Sequence, residues 1–191
     1  MYSRTMPTMK LALVLPYEGS LRRLRVQQID LYQFHRPDPA VPFEESVGAL
    51  VQLKSEGKIR HIGLSNVSTD ELQRAEKLTP VVSVQNRYNV VDRSSDAVLE
   101  ACSLEGLAFL PWRPVEGGEL EGASGVLSEI AGRYDATPSQ VALAWLLARS
   151  PVMLPIAGTS KVAHLEENLA AVALDIAPSD LQRLDTLTHT G

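Results

Sequence analysis

The feature that most constrains this chain is a regular alternation of short β-rich runs with longer segments of helical periodicity, beginning near residue 20. No repeat, low-complexity stretch or long Pro/Gly/Ser linker interrupts the alternation. Such a pattern predicts a parallel sheet whose strands are joined by helices. The predicted strands, each an apolar run suited to burial on both faces, are Ile29–His35, Ile59–Ser65, Val81–Arg87, Leu107–Trp112 and Val152–Ala157.

Helical patterns fill the segments between and after these strands, and several of their ends carry boundary signals. Ser68 or Thr69 can cap the helix that follows, Thr137 precedes Pro138 at a first helical turn, and Gly57 ends the first long helix. The predicted helices are Phe43–Glu56, Thr69–Leu78, Ser94–Leu104, Pro138–Arg149, His164–Ala171 and Pro178–Leu187.

None of the five βα units has a Gly-x-Gly-x-x-Gly loop after its strand, which argues against a doubly wound dinucleotide-binding sheet. The remaining architecture is a (β/α)8 TIM barrel, which needs eight strands and typically about 250 residues. Leu11–Leu15 offers at most one more strand, and too few residues separate it from Ser20 for a crossover helix. The predicted fold class is therefore α/β, a partial (β/α)8 barrel with about five of its eight units.

Charge and cysteine content exclude several kinds of partner. The formal net charge is −5, so no global field attracts nucleic acid. The apolar run Leu11–Leu15 is too short for a membrane span or a signal-peptide core. Cys102 is the single cysteine and is expected to be a small buried hydrophobe, with no disulfide and no metal-ligand spacing around it. We expect a cytoplasmic protein with no nucleic-acid or membrane partner and no metal.

Polar residues stand at the predicted carboxyl ends of all five strands. In barrels of this kind that end of the sheet carries the chemistry. For one such residue alone, a loop or capping role would be favoured, but five in register are harder to dismiss. They are His35, Ser65-Asn66, Gln85-Asn86, Trp112-Arg113 and the segment Gly158–Lys161.

Six motifs give the chain a family resemblance. They are Ser20–Leu24 (SLRRL) with Ile29–Asp38 (IDLYQFHRPD), Gly57–Asn66 (GKIRHIGLSN), Val84–Asn89 (VQNRYN), Leu110–Pro114 (LPWRP), Pro155–Lys161 (PIAGTSK) and His164–Asn168 (HLEEN). In this order and spacing, from about residue 20 to 188, they resemble the aldo-keto reductases. We therefore expect a non-family segment at residues 1–19 and a truncated barrel domain at residues 20–191.

The resemblance implies roles around a nicotinamide ring. His35 matches the family's histidine that orients and polarises the substrate carbonyl, the one catalytic residue it assigns here. Ser65, Asn66 and Gln85 match residues that hold the carboxamide, and Trp112, with Arg113 beside it, matches the aromatic that stacks on the ring. The alternatives are a buried structural histidine for His35 and a core tryptophan for Trp112.

The resemblance also implies an adenosine 2′-phosphate site and hence NADP as cofactor. Gly158, Thr159, Ser160 and Lys161 would offer backbone N–H groups, hydroxyls and an ammonium at the start of a helix, which favours an anion. Glu167 and Asn168 match residues that contact the adenine. His164 stands where many members have an arginine, which weakens the positive charge of the site.

The family's catalytic aspartate, tyrosine and lysine have no counterpart in this sequence, because Tyr2, Tyr17 and Lys10 lie outside the motif. Arg25 replaces a glycine that usually follows the SLRRL motif, where a left-handed turn penalises a Cβ atom. Two functions remain open. One is an NADP-dependent oxidoreductase acting on an aldehyde or ketone, impaired in this chain, and the other is a non-catalytic NADP-binding or interaction module that self-associates through open sheet edges.

Overall fold

A computed structural model of the protein describes residues 17–115 and 124–187. Contacts divide the chain into two compact units, one up to Val84 and one from Gln85 onward, and each is described by itself. The elements are α1 (17–24), β1 (Ile29–Phe34), α2 (Phe43–Ser55), β2 (Ile59–Ser65), α3 (Thr69–Glu76), β3 (Val81–Gln85), α4 (Asp96–Glu105), β4 (Ala108–Phe109), α5 (Ser124–Arg133), α6 (Pro138–Arg149), α7 (Val162–Ala170), a 3-10 turn (Ala171–Ala173) and α8 (Pro178–Asp185).

In the first unit, β1, β2 and β3 lie side by side in chain order. β1 and β2 are parallel, with Ile29 opposite Ile59 and Phe34 opposite Leu64. One face is packed under the helices: Phe34 is buried, and its ring meets the ring of Phe43, the first residue of α2, edge-on at 6.1 Å. Since successive strand residues alternate between faces, the other face carries Leu31, Gln33 and His61.

The boundary signals of the first unit are confirmed. Ser68 caps α3 in a reciprocal capping box with Glu71, whose carboxylate accepts from the Ser68 backbone N–H at 2.8 Å. Gly57 follows α2 with φ 71°, the left-handed conformation that glycine takes without a Cβ penalty. Arg25 has φ 57°, so the strained turn expected after the SLRRL motif is present with a residue that disfavours it.

In the second unit, β4 is a strand of only two residues. The predicted strand Val152–Ala157 is wrong as a strand: it forms a single parallel bridge, between Phe109 and Met153. The segment still forms backbone hydrogen bonds with β4: the Leu154 N–H donates to Phe109 O at 2.8 Å. The ladder is interrupted because Pro111, on the partner segment, has no N–H to donate. β4 is likewise shorter than the predicted Leu107–Trp112.

The described part of the second unit contains the five α-helices α4 to α8. Thr137 caps α6 in a capping box with Gln140, as the Thr-Pro signal predicts. α5 was not predicted, although it buries Leu127, Ile130 and Ala131 at helical spacing. α7 buries none of its side chains, and the row Val162, Leu165, Leu169 and Val172 is 49–73% exposed.

The core of the second unit is built around Trp145. Its ring stacks on Tyr88 at 5.9 Å, and its indole N–H donates to Asp185 Oδ1 at 2.9 Å. Burial raises the pKa of Tyr88 to about 12, so the phenol stays protonated and donates to Asp96 Oδ1 at 2.5 Å. Cys102 is fully buried, as expected, and takes part in no disulfide.

Candidate functional site

The first unit brings together His35, Ser65 and Asn66. His35 follows the last residue of β1 and is exposed, whereas Ser65 ends β2 and is 1% exposed. The Asn66 amide joins them: Nδ2 donates to the His35 backbone oxygen at 2.9 Å and to Ser65 Oγ at 3.0 Å. The carboxyl ends of two neighbouring strands are thus cross-linked by a side chain that the motif predicted for a different task, holding a carboxamide.

Asn66 adopts the left-handed conformation, with φ 58°. Asparagine tolerates this conformation better than most residues with a Cβ atom. The reversal turns the chain out of β2 and into the α3 cap at Ser68 only two residues later. The backbone strain therefore coincides with a residue that we predicted to be functional from sequence, which agrees with the tendency of strained residues to lie at sites.

In the second unit, Trp112 pairs with the loop that follows Gln85, through an isolated parallel bridge to Arg87. Gln85 ends β3, and the next residue, Asn86, accepts the Trp112 backbone N–H at 3.0 Å. Arg113 has φ 54°, and its backbone oxygen accepts from Asn89 Nδ2 at 3.1 Å. The Trp112–Arg113 turn is therefore held from the loop after β3.

The ring of Trp112 is half-buried, and the guanidinium of Arg87 lies 5.9 Å from its centroid. Trp145 by contrast is 1% exposed. The partial exposure leaves aromatic surface that a planar ring can contact. Sequence reasoning missed the buried Asn89, whose amide supports this turn, although it stands in the quoted VQNRYN motif. Asn86 supports the turn through its backbone oxygen, whereas its side-chain amide donates to Ser95 Oγ at 3.3 Å.

The segment from Gly158 to Lys161 leads into α7 as predicted. Gly158, Ser160 and Lys161 are exposed, and Lys161 is the N-cap residue without a side-chain cap hydrogen bond. The Thr159 hydroxyl is engaged locally: Oγ1 accepts the Lys161 N–H at 3.1 Å. This contact orders the turn, so Thr159 supports the start of the helix.

The first turns of α7 carry the remaining predicted residues. His164 and Glu167 are exposed and Asn168 is half-buried. The Glu167 backbone oxygen accepts from Gln140 Nε2 at 3.1 Å, which ties α7 to the first turn of α6. No group of histidine, cysteine, aspartate or glutamate residues within 17–115 and 124–187 has the arrangement of a metal site.

The model of the aldo/keto reductase family matches residues 16–189 of the chain. The chain belongs to the aldo/keto reductase family. An uncharacterized oxidoreductase of Schizosaccharomyces pombe is 48% identical over 166 residues, which are 87% of this chain and 54% of that protein. The sequence motifs and their order thus identified the family correctly.

Two solved structures show the fold. A thermostable aldo-keto reductase in complex with the inhibitor epalrestat superposes with a TM-score of 0.85 at 34% identity, covering 92% of this chain and 65% of that one. An aldo/keto reductase from Klebsiella pneumoniae in complex with NADP and acetate gives 0.80 at 28% identity, covering 92% and 64%. The predicted fold class, a partial (β/α)8 barrel, is confirmed.

The chain spans about half the length of the S. pombe relative and just under two thirds of the solved chains. Among the described residues, none of the helices combines the length and the apolar character needed to cross a bilayer.

Proposed function

We propose that this chain contributes the cofactor-holding and carbonyl-orienting part of an NADP-dependent oxidoreductase that moves hydride between NADPH and an aldehyde or ketone. The observation that carries the proposal is the His35–Ser65–Asn66 cluster at the carboxyl ends of β1 and β2 in a chain of this family. Such strand ends carry the chemistry of (β/α)8 enzymes.

The chemistry that NADPH supplies is a hydride, which passes to the carbonyl carbon while a proton reaches the oxygen and an alcohol forms. The chain's residues bind and orient. Ser65, Asn66 and Gln85 offer amide and hydroxyl groups to a carboxamide, and the exposed surface of Trp112 offers a stacking partner. His35 donates a hydrogen bond to the oxygen on which negative charge develops.

The preference for the 2′-phosphorylated cofactor rests on the start of α7. Lys161 is exposed at the N-cap, and the helix dipole adds positive potential at the same place. Gly158, Thr159 and Ser160 precede it, His164 lies one turn later, and Glu167 and Asn168 follow for the adenine. A phosphate here would be held by backbone N–H groups and one ammonium, without the arginine common in relatives.

Lys161→Ala is expected to weaken NADPH binding by roughly 1–2 kcal/mol and to leave NADH binding nearly unchanged, because only NADPH carries the 2′-phosphate. Titration of the intrinsic tryptophan fluorescence with each cofactor measures both affinities. Lys77→Ala is the matched control, since Lys77 is also exposed but stands at the C-terminal end of α3. Equal losses of affinity for NADPH and NADH would show that Lys161 does not bind the 2′-phosphate.

The second candidate is a non-catalytic NADP-binding or interaction module that self-associates through an open sheet edge. One observation favours it: β1 is the end strand of the sheet within the described residues. Ile29 N–H bonds to Lys58 O, so the backbone groups of Asp30, Tyr32 and Phe34 face away from β2. The second predicted edge is less suited to pairing, because Pro155 there presents no N–H.

Asp30→Pro is expected to convert an associated chain to monomer, because it removes an N–H from the open edge of β1. Light scattering after size-exclusion chromatography measures the mass. Asp30→Ala is the control: both variants lose the Asp30–Arg60 ion pair of 2.7 Å, but only the proline loses the N–H. A wild-type monomer, or equal behaviour of the two variants, would contradict association through β1.

The cytoplasm is the compartment that we propose. The single cysteine is buried and forms no disulfide, as is usual where thiols stay reduced.

A further inference from the structure

Directly beneath the strand ends of the first unit lies a polar contact that the proposed function does not use. Gln33 on β1 donates through Nε2 to Ser83 Oγ on β3 at 3.0 Å. β2 lies between these two strands, and Gly63 is the β2 residue opposite Gln33. The Gln33 side chain therefore crosses over β2 at Gly63 to reach the next strand.

Gly63 is the residue that makes this crossing possible. A Cβ atom at Gly63 would lie 2.6 Å from Cδ of Gln33 and would overlap both Oε1 of Gln33 and Oγ of Ser83. Gly63 has no positive φ, unlike Gly57, so its backbone conformation is open to any residue. What glycine supplies at this position is space rather than conformational freedom.

The contact is costly for a purely structural element. Ser83 is 1% exposed, and Oε1 of Gln33 is buried without a hydrogen-bond partner among the described residues. An unsatisfied buried acceptor destabilises a fold, whereas a well-packed apolar pair would not. Departures of this kind from the best-packed sequence concentrate at functional sites.

The position of the contact indicates what it acts on. Gln33 and Gly63 stand two residues before His35 and Ser65, so the period of two places them on the same face of the sheet, one layer below. His35 itself is exposed, and the bond from Asn66 reaches only its backbone oxygen. The direction of the imidazole therefore depends on where the end of β1 is held.

We infer that Gln33 is a positioning residue: its bond to Ser83 across Gly63 fixes the end of β1 against β3 and thereby aims His35. The inference rests on the proposed function for its purpose, since an aimed His35 matters only if it meets a carbonyl. The contact itself requires no cofactor, so the two can be tested apart.

The deciding variant is Gln33→Met, which keeps the length and packing of the side chain but removes the amide. The imidazole and amide signals of His35 in two-dimensional NMR spectra are expected to shift or broaden, while the unfolding midpoint stays the same or rises. Ser83→Ala, which removes the other partner, is expected to give the same change at His35. If both variants leave the His35 signals unchanged, the amide only fills space and the inference is overturned.

Gly63→Ala is expected to displace the Gln33 amide and reproduce the His35 change. Gly48→Ala is its control, because a Cβ there meets nothing within 4 Å. If Gly63→Ala does not fold, the Gln33 and Ser83 variants still decide the matter. An NADPH titration of the wild type accompanies these spectra: absence of binding would contradict the proposed function, whereas the His35 signals without cofactor test the positioning separately.

Discussion

The 191-residue chain is expected to reduce a reactive aldehyde with NADPH about 10² to 10⁴-fold more slowly than an intact relative such as the Klebsiella pneumoniae aldo/keto reductase, the range that a positioned proton donor typically supplies. As hydride reaches the carbonyl carbon, negative charge grows on the oxygen and needs a proton or hydrogen bond there. His35 offers a hydrogen bond. The sequence holds no counterpart of the family's aspartate, tyrosine and lysine group beside it.

Initial rates of NADPH oxidation at 340 nm measure the difference, with the relative assayed in parallel. His35→Ala is expected to remove the activity that remains above the uncatalysed rate. His61→Ala is the control, because His61 is a histidine within β2, two residues before Gly63. Joining the first three βα units of a relative ahead of Ser20 should raise rate and stability together, because it supplies the acid and closes the barrel. Full activity of the unextended chain that survives His35→Ala would show that another residue is the acid.

Much of this fold could be predicted from sequence because local signals and burial agree. β2 and α6 begin and end at the predicted residues, since Ile59–Ser65 is a continuous β-rich run and Thr137-Pro138 marks a helix start. The segment Val152–Ala157 was predicted wrongly as a strand. Its apolar run fits a strand, but the length of a ladder depends on the partner's N–H groups, and Pro111 lies on the partner.

The residues of the candidate site could be predicted from sequence, but the hydrogen bonds between them could not. Sequence placed His35, Ser65 and Asn66 at strand ends, and the family motifs gave each a role. That Asn66 would bond to the His35 backbone, or that Gln33 would cross Gly63 to Ser83, depends on strand register and on side-chain reach. The periodicity of apolar residues indicates neither strand register nor side-chain reach, so these contacts could be seen only in the structure.

Trp145→Ala is expected to destabilise the second unit by about 3–5 kcal/mol, the range for deleting a buried aromatic side chain. The indole is 1% exposed and stacks on Tyr88, and the guanidinium groups of Arg93 and Arg149 lie 4.8 and 5.6 Å from its ring centroid. Its loss leaves a cavity and two partly buried cations without their aromatic partner. Since whole domains are stable by only about 5–15 kcal/mol, the variant should be near the threshold of unfolding.

Two further variants separate the causes of that loss, and urea denaturation followed by circular dichroism measures all three. Trp145→Phe keeps an aromatic ring over Tyr88 but removes the N–H that donates to Asp185, so it should cost roughly 1–2 kcal/mol, near the value of one hydrogen bond to a charged group. Trp112→Ala removes the same side chain from a half-buried position and should cost less stability than Trp145→Ala while weakening NADPH binding. The two tryptophans of the chain are thus expected to differ: the larger loss of stability follows removal of Trp145, and the loss of NADPH binding follows removal of Trp112. Equal losses of stability at the two positions would mean that Trp112 is a core residue, and the stacking role proposed for it would have to be abandoned.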